Sequence, residues 1–227
     1  MGGEARRFAA TLQELLNQTV CDHAKVTTKV SGDTAIVGTR LDSEWESQPV
    51  RMRSGAAARV SLKVSCHLML DKDEGLFLTV DRSFFGVYFG AEADDILLHY
   101  DFERGKDRYA EAHIQVCARH EGLEQFRRGQ GRKDGLAKMH LPVGGRRLRP
   151  AIEDLVECLI VEGLVTPKPD WKAVLDRSRN RYRRTQLSAA VRRSPDTAAR
   201  ELQRLGYAAV PPHDESVRAR LLRLTAS

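Results

Sequence analysis

Two neighbouring stretches of alternating residues hold the side chains of this chain best suited to chemistry. Over 95–102, Leu97, His99 and Asp101 fall on one face of an extended segment, and Ile96, Leu98, Tyr100 and Phe102 on the other. Over 111–119, His113, Gln115 and Cys117 share a face, opposite Ala112, Ile114, Val116 and Ala118. The intervening Arg104-Gly105-Lys106-Asp107-Arg108 has the composition of a hairpin loop. A hairpin centred near Asp107 sets His99 opposite Gln115 and Asp101 opposite His113, with β-carbons about 4.5–5.5 Å apart. A slip of two residues would change the partners but leave all four on one face, because parity alone decides side-chain direction.

Three chemistries suit His99, Asp101, His113 and Gln115. A polar sheet face, solvated or hydrogen-bonded, needs nothing more than cross-strand pairing, worth about 0.2–1 kcal/mol per pair. A divalent metal (Fe, Mn, Ni or Zn) suits His99, Asp101 and His113, with coordination positions left for substrate and His67 or His140 as the only further ligands in view. Alternatively, Asp101 orients His113 as a general acid–base, since an opposed carboxylate favours imidazolium. Familiar catalytic motifs are absent: GGRRLR lacks the spacing of a phosphate loop, and there is no GxSxG, HExxH or DxDxDG.

The elements that must position these residues follow from the period of the apolar positions. Phe8, Leu12, Leu15 and Leu16 predict a helix over 4–18. Val60, Leu62, Val64, Cys66 and Leu68 alternate with Ser61, Lys63, Ser65 and His67, which predicts a half-buried strand over 58–70. Strands follow over 76–80 and 84–89, broken by Asp81-Arg82-Ser83, and two weaker ones over 24–40 turn at Ser31-Gly32-Asp33. A short strand is expected over 139–143. Beyond it the helical period returns. Pro150 suits a first turn, Glu153 and Asp154 its positive end, and Ile152, Leu155, Val156, Leu159 and Ile160 a buried stripe that stops at Gly163. Asp170 caps a long helix to about Arg193, and Ser194-Pro195-Asp196 starts another that ends at Gly206. Strands first and helices afterwards predict an α+β fold: an N-terminal helix, an antiparallel sheet over about 24–119, and C-terminal helices packed on the sheet. We expect a single domain over 1–227, with 1–120 and 145–227 as its sheet and basic helical subdomains.

Charge is unevenly spread. The net +6 divides into −4 over residues 1–113 and +10 over 114–227. Lys172, Arg177, Arg179, Arg181, Arg183, Arg184, Arg192 and Arg193 stand against Asp170 and Asp176 in the long helix, with Trp171, Val174, Leu175, Ser178, Tyr182 and Ala189 as its inner stripe. The arginines then spread over the outer faces, and Arg127, Arg128, Arg132, Lys133, Arg146, Arg147 and Arg149 add to the basic surface. Arg177, Arg181, Arg183 and Arg184, with Arg146, Arg147 and Arg149, are the candidate anion-binding residues, since guanidinium forks match phosphate and carboxylate. The alternative is a solvated helix, or one that meets the acidic first half. Four dispersed cysteines argue against a disulfide framework or zinc ribbon. The N-terminus lacks an apolar signal segment, and the apolar run over 155–165 is interrupted by Glu157, Glu162 and Gly163, so a cytoplasmic protein without a membrane partner is expected.

LHYDF (98–102), AHIQV (112–116), MHLPVGGRRLRPAIEDLVE (139–157) and AAVRRSPDTAARELQRLGY (189–207) resemble a family of uncharacterised bacterial proteins. The resemblance covers about half of the chain and brings no activity with it. A histidine-bearing aromatic strand followed by a second histidine strand is also similar to small toxins of toxin–antitoxin pairs. Two functions fit: a binding or assembly protein that contacts nucleic acid or an acidic protein through its Arg-rich helices, or a metal-dependent phosphodiesterase or nuclease built on His99, Asp101 and His113.

Overall fold

The computed structural model describes residues 1–55, 59–71, 77–90, 92–93, 95–119, 124–125, 128, 131, 138–143 and 151–209. The chain opens with helix α1 (Gly2–Thr19) and continues through strands β1 (Val26–Ser31), β2 (Thr34–Thr39), β3 (Val50–Arg51), β4 (Val60–Leu70), β5 (Leu78–Phe89), β6 (Asp95–Glu103), β7 (Ala112–Val116) and β8 (Leu141–Pro142). Helices α2 (Ile152–Val161), α3 (Trp171–Arg193) and α4 (Pro195–Arg204) follow. All strand pairs are antiparallel, in the order β1-β2-β4-β5-β6-β7-β8, with β3 added beside β4. This is the α+β architecture expected. The chain divides into two compact units, Met1–Arg179 and Asn180–Ser227, and the division falls inside α3.

In the first unit one sheet face is apolar and covered by helices. Val60, Leu62, Val64, Cys66 and Leu68 of β4 and Phe85 and Val87 of β5 share a buried cluster with Ala5, Ala9, Leu12, Leu15 and Leu16 of α1. Ile152, Leu155, Val156 and Leu159 of α2 belong to the same cluster, as does Leu175 from the second turn of α3. Burying a Leu or Val side chain contributes about 1.5–3 kcal/mol, and the alternation of β4 is what brings five residues of one strand to that face. α2 ends as its glycine predicts. Gly163 takes φ 71°, the Gly163 amide donates to Ile160 O at 3.0 Å, and the Leu164 amide donates to Leu159 O at 2.9 Å. Pro150, expected in the first turn, lies outside the described residues, and the helix begins after Ala151.

Two departures from simple alternation matter. The break expected at Asp81-Arg82-Ser83 is a bulge within one continuous strand: β5 pairs with β4 from Val60↔Phe89 to Leu70↔Leu78, and Asp81 is the extra residue. A second irregularity lies between β5 and β6, where Val87 pairs with Leu98 but Tyr88 with Ile96. Leu97 is the surplus residue, so Leu97 and Leu98 both pack on the core while Ile96 leaves the face it was expected to share with Leu98. From Leu98 onward the parity is undisturbed. That is the part of β6 that carries the candidate site.

Candidate functional site

β6 and β7 pair in the register expected, His99↔Gln115 and Asp101↔His113. β5 lies on the other side of β6, with Gly86↔His99 and Phe84↔Asp101, and β8 closes the far edge with His113↔Pro142. The polar residues therefore lie on the sheet face opposite α1 and α2. Pro142 suits a two-residue edge strand, where a missing amide breaks no ladder.

The four side chains form one network. His99 Nε2 lies 2.5 Å from Gln115 Oε1 and 3.3 Å from Asp101 Oδ2. It faces two acceptor oxygens, so this nitrogen carries the proton and donates. His99 Nδ1 is buried and without a partner among the described residues. His113 Nδ1 donates to the Ala110 carbonyl at 3.0 Å, which turns its Nε2 toward Asp101 Oδ2 at 3.6 Å, an electrostatic contact longer than a hydrogen bond. Exposure differs sharply within the set: 2% for the His113 side chain, 14% for His99 and 29% for Asp101. Solvent reaches the network chiefly through the carboxylate.

Burial alone would raise the Asp101 pKa, but the His113 and His99 imidazoles outweigh it and hold the carboxyl at about 2, below its ordinary 3.8. The folded chain therefore binds that proton more weakly than the unfolded chain. The resulting stability is present above about pH 4 and is lost as pH falls from about 4 toward 2. With the carboxylate partly solvated, we expect about 1–2 kcal/mol from this source. Urea unfolding of Asp101→Asn should show a correspondingly shallower loss of stability between about pH 5 and pH 2 than the wild type, and parallel curves would contradict the assignment.

Further residues complete the site, and strand alternation gives no sign of two of them, Tyr109 and Gly86. Tyr109, from the loop after β6, stacks on His140 with ring centroids 4.1 Å apart and meets the His113 ring edge-on at 4.9 Å. His140 meets His113 at 4.7 Å, and burial first, then His113, pushes its imidazole below the usual histidine range. The loop is held by Lys106, which pairs with Glu103 at 3.0 Å and sits over the Tyr109 ring. On the opposite flank, Phe84 stacks on His99 at 5.3 Å. Gly86 makes this stacking fit: a β-carbon there would lie 2.5 Å from Phe84 Cε1 and 2.9 Å from Tyr88 Cε2. Gly86→Ala should displace Phe84 from His99 and cost about 1–3 kcal/mol, measured by thermal unfolding. Combining it with Phe84→Leu should recover part of that loss; full additivity would show that Phe84 is not what the methyl meets.

Among the described residues, no group of three or more His, Cys, Asp or Glu side chains is arranged to hold a metal ion. The donors of His99, Asp101 and His113 are directed at one another and at Gln115, with the Asp101 oxygen between the two Nε2 atoms. His67 pairs with Ile36 and Arg82, away from the set. Two imidazoles beside an ionised carboxylate have the composition of an acid–base site.

The candidate anion-binding residues separate. Arg177, Arg181, Arg183 and Arg184 are exposed on α3, whereas Arg146, Arg147 and Arg149 lie outside the described residues. Arg179, expected on the outer face, is instead turned onto α2. Its Nε lies 3.0 Å from Asp154 Oδ1, its Nη1 lies 3.3 Å from Asp176 Oδ1, and Nη2 pairs with Glu157. Beside it Ser178 Oγ donates to Glu153 Oε1 at 2.5 Å. The i, i+4 spacing of Glu153 and Glu157, with Asp154 between them, is the one sequence signal for an inward basic partner. The chain matches no family model, no curated protein and no solved structure. No helix of the described residues is long and apolar enough to cross a membrane.

Proposed function

We propose that this protein binds or assembles with an anionic macromolecule, nucleic acid or acidic protein, through the arginines of its C-terminal helices. The observation that carries this reading is the contrast within α3. Arg179 is met by three carboxylates, while Arg177, Arg181, Arg183 and Arg184 stand exposed on a 23-residue helix in which only Leu175 is buried. Exposed arginines that no core requires are suited to carboxylate or phosphate oxygens, which their guanidinium forks can grip in pairs. The test is anisotropy titration of labelled duplex DNA and labelled polyglutamate with the purified protein. Affinity for at least one probe, weakened by Arg181→Glu with Arg184→Glu, supports the reading; no binding at low salt removes it.

The approach of two imidazoles to Asp101 favours a second reading, acid–base cleavage of a phosphodiester at His99, Asp101 and His113. No ligand set among the described residues supports its metal-dependent form. Cleavage of RNA or DNA that survives a chelator and disappears in His99→Ala would support this second reading. An inert wild type would remove it.

A further inference from the structure

We propose that the partner is a protein carrying an acidic amphipathic helix, which docks on the exposed Leu187, Leu202 and Leu205 between the neighbouring arginines. The inference rests on the anionic-partner reading above and names the partner's class. Over 180–209 not one described residue is buried. α4 and its C-terminal cap residue nonetheless have the pattern of a helix made for burial: Ala198, Leu202 and the cap Leu205 recur at four- and three-residue steps, opposite Asp196, Arg200, Gln203 and Arg204. Leu205 is 68% exposed and Tyr207, which follows Gly206, 65%. On α3, Leu187 and Val191 stand one turn apart and are likewise exposed. Short helices gain most of their stability from packing an apolar face, so a helical unit with that face bare is one that acquires its packing from a partner.

Charge selects the occupant. Over 180–209, seven arginines (181, 183, 184, 192, 193, 200 and 204) stand against Asp196 and Glu201, a net +5. A second copy of this unit would bring like charge to like, which disfavours self-association. Nucleic acid would satisfy the arginines but offers little to the leucines. An anionic membrane would satisfy both in a helix with one apolar side, yet Arg181, Arg192, Arg193, Arg183 and Arg184 fall at about 0°, 20°, 120°, 200° and 300° around α3, so no arc wider than about 100° is free of charge. A helix with carboxylates flanking an apolar ridge meets both features.

The probe is a labelled synthetic peptide of about 20 residues, long enough to hold a helix, with leucines at i, i+3, i+4 and i+7 and glutamates elsewhere. The comparisons are a scrambled peptide of the same composition, duplex DNA of equal charge, and anionic phospholipid vesicles. The full chain should bind the amphipathic peptide at least about 10-fold more tightly than the scrambled one, a difference of about 1.4 kcal/mol. Leu202→Ser with Leu205→Ser should abolish that preference while leaving binding of the scrambled peptide unchanged. Both positions are exposed, so these substitutions leave the fold alone. Equal binding of the two peptides, tighter binding of DNA or vesicles, or no effect of the serine pair would overturn this proposal and leave the anionic-partner reading standing. Failure of every anionic probe to bind would overturn both.

Discussion

His113→Ala should lower the unfolding free energy by about 2–4 kcal/mol, more than any other change within the polar network. Its side chain is 2% exposed, so the substitution leaves a cavity on the order of an imidazole ring. It also removes the partner of the Ala110 carbonyl, one of the two imidazoles beside the Asp101 carboxylate, and the edge contacts with Tyr109 and His140. His99→Ala should cost less, about 1–2 kcal/mol, because that ring is partly solvated and its Nδ1 has no partner to lose among the described residues. Urea unfolding at pH 7, compared at equal m-value, separates the two. A loss below about 0.5 kcal/mol for His113→Ala would mean that the network adds nothing to the fold. Binding of anionic probes should survive the substitution, since Arg181, Arg183 and Arg184 belong to the other compact unit.

Arg181→Glu with Arg184→Glu should weaken binding of any anionic probe by more than about 10-fold without changing thermal stability. Both side chains are exposed on α3, so neither reversal disturbs a packed contact. Each replaces an attraction by a repulsion, and a few arginines commonly dominate such interfaces. Arg179→Glu should behave in the opposite way, with little direct effect on the probe and a marked loss of stability. It would set a fourth carboxylate beside Asp154, Glu157 and Asp176. A circular-dichroism melt paired with the anisotropy titration reads both effects. Equal loss of affinity in the two variants, with stability unchanged, would mean that Arg179 is not an internal tie between α2 and α3.

Much of the site is legible in the amino-acid sequence because strand parity is a local property. Once 95–102 and 111–119 alternate, His99, Asp101, His113 and Gln115 must share a face, and the loop between them fixes the register. What alternation cannot convey is an extra residue in a strand. Asp81 and Leu97 are bulged by the twist and pairing of their neighbours, so alternation alone predicts two strands where β5 is one and places Ile96 on the wrong face. Gly86 is silent for a related reason. Its role lies in the rings of Phe84 and Tyr88 closing over it, a contact made across residues two apart on a pleated surface. The inward turn of Arg179 depends on where α2 lies beside α3, which helical periodicity within α3 alone does not encode.

Contact between the α3 arginines and an anionic partner makes wild-type affinity for an anionic probe depend on salt. If Arg177, Arg181, Arg183 and Arg184 each neutralise one phosphate of a DNA duplex, affinity should fall about 100-fold between 50 and 200 mM salt. Polyglutamate should show a fall of the same sign, and the Arg181→Glu, Arg184→Glu protein a much flatter one. Binding that ignores salt, or that the reversed arginines leave untouched, would contradict the assignment of these helices to an anionic partner.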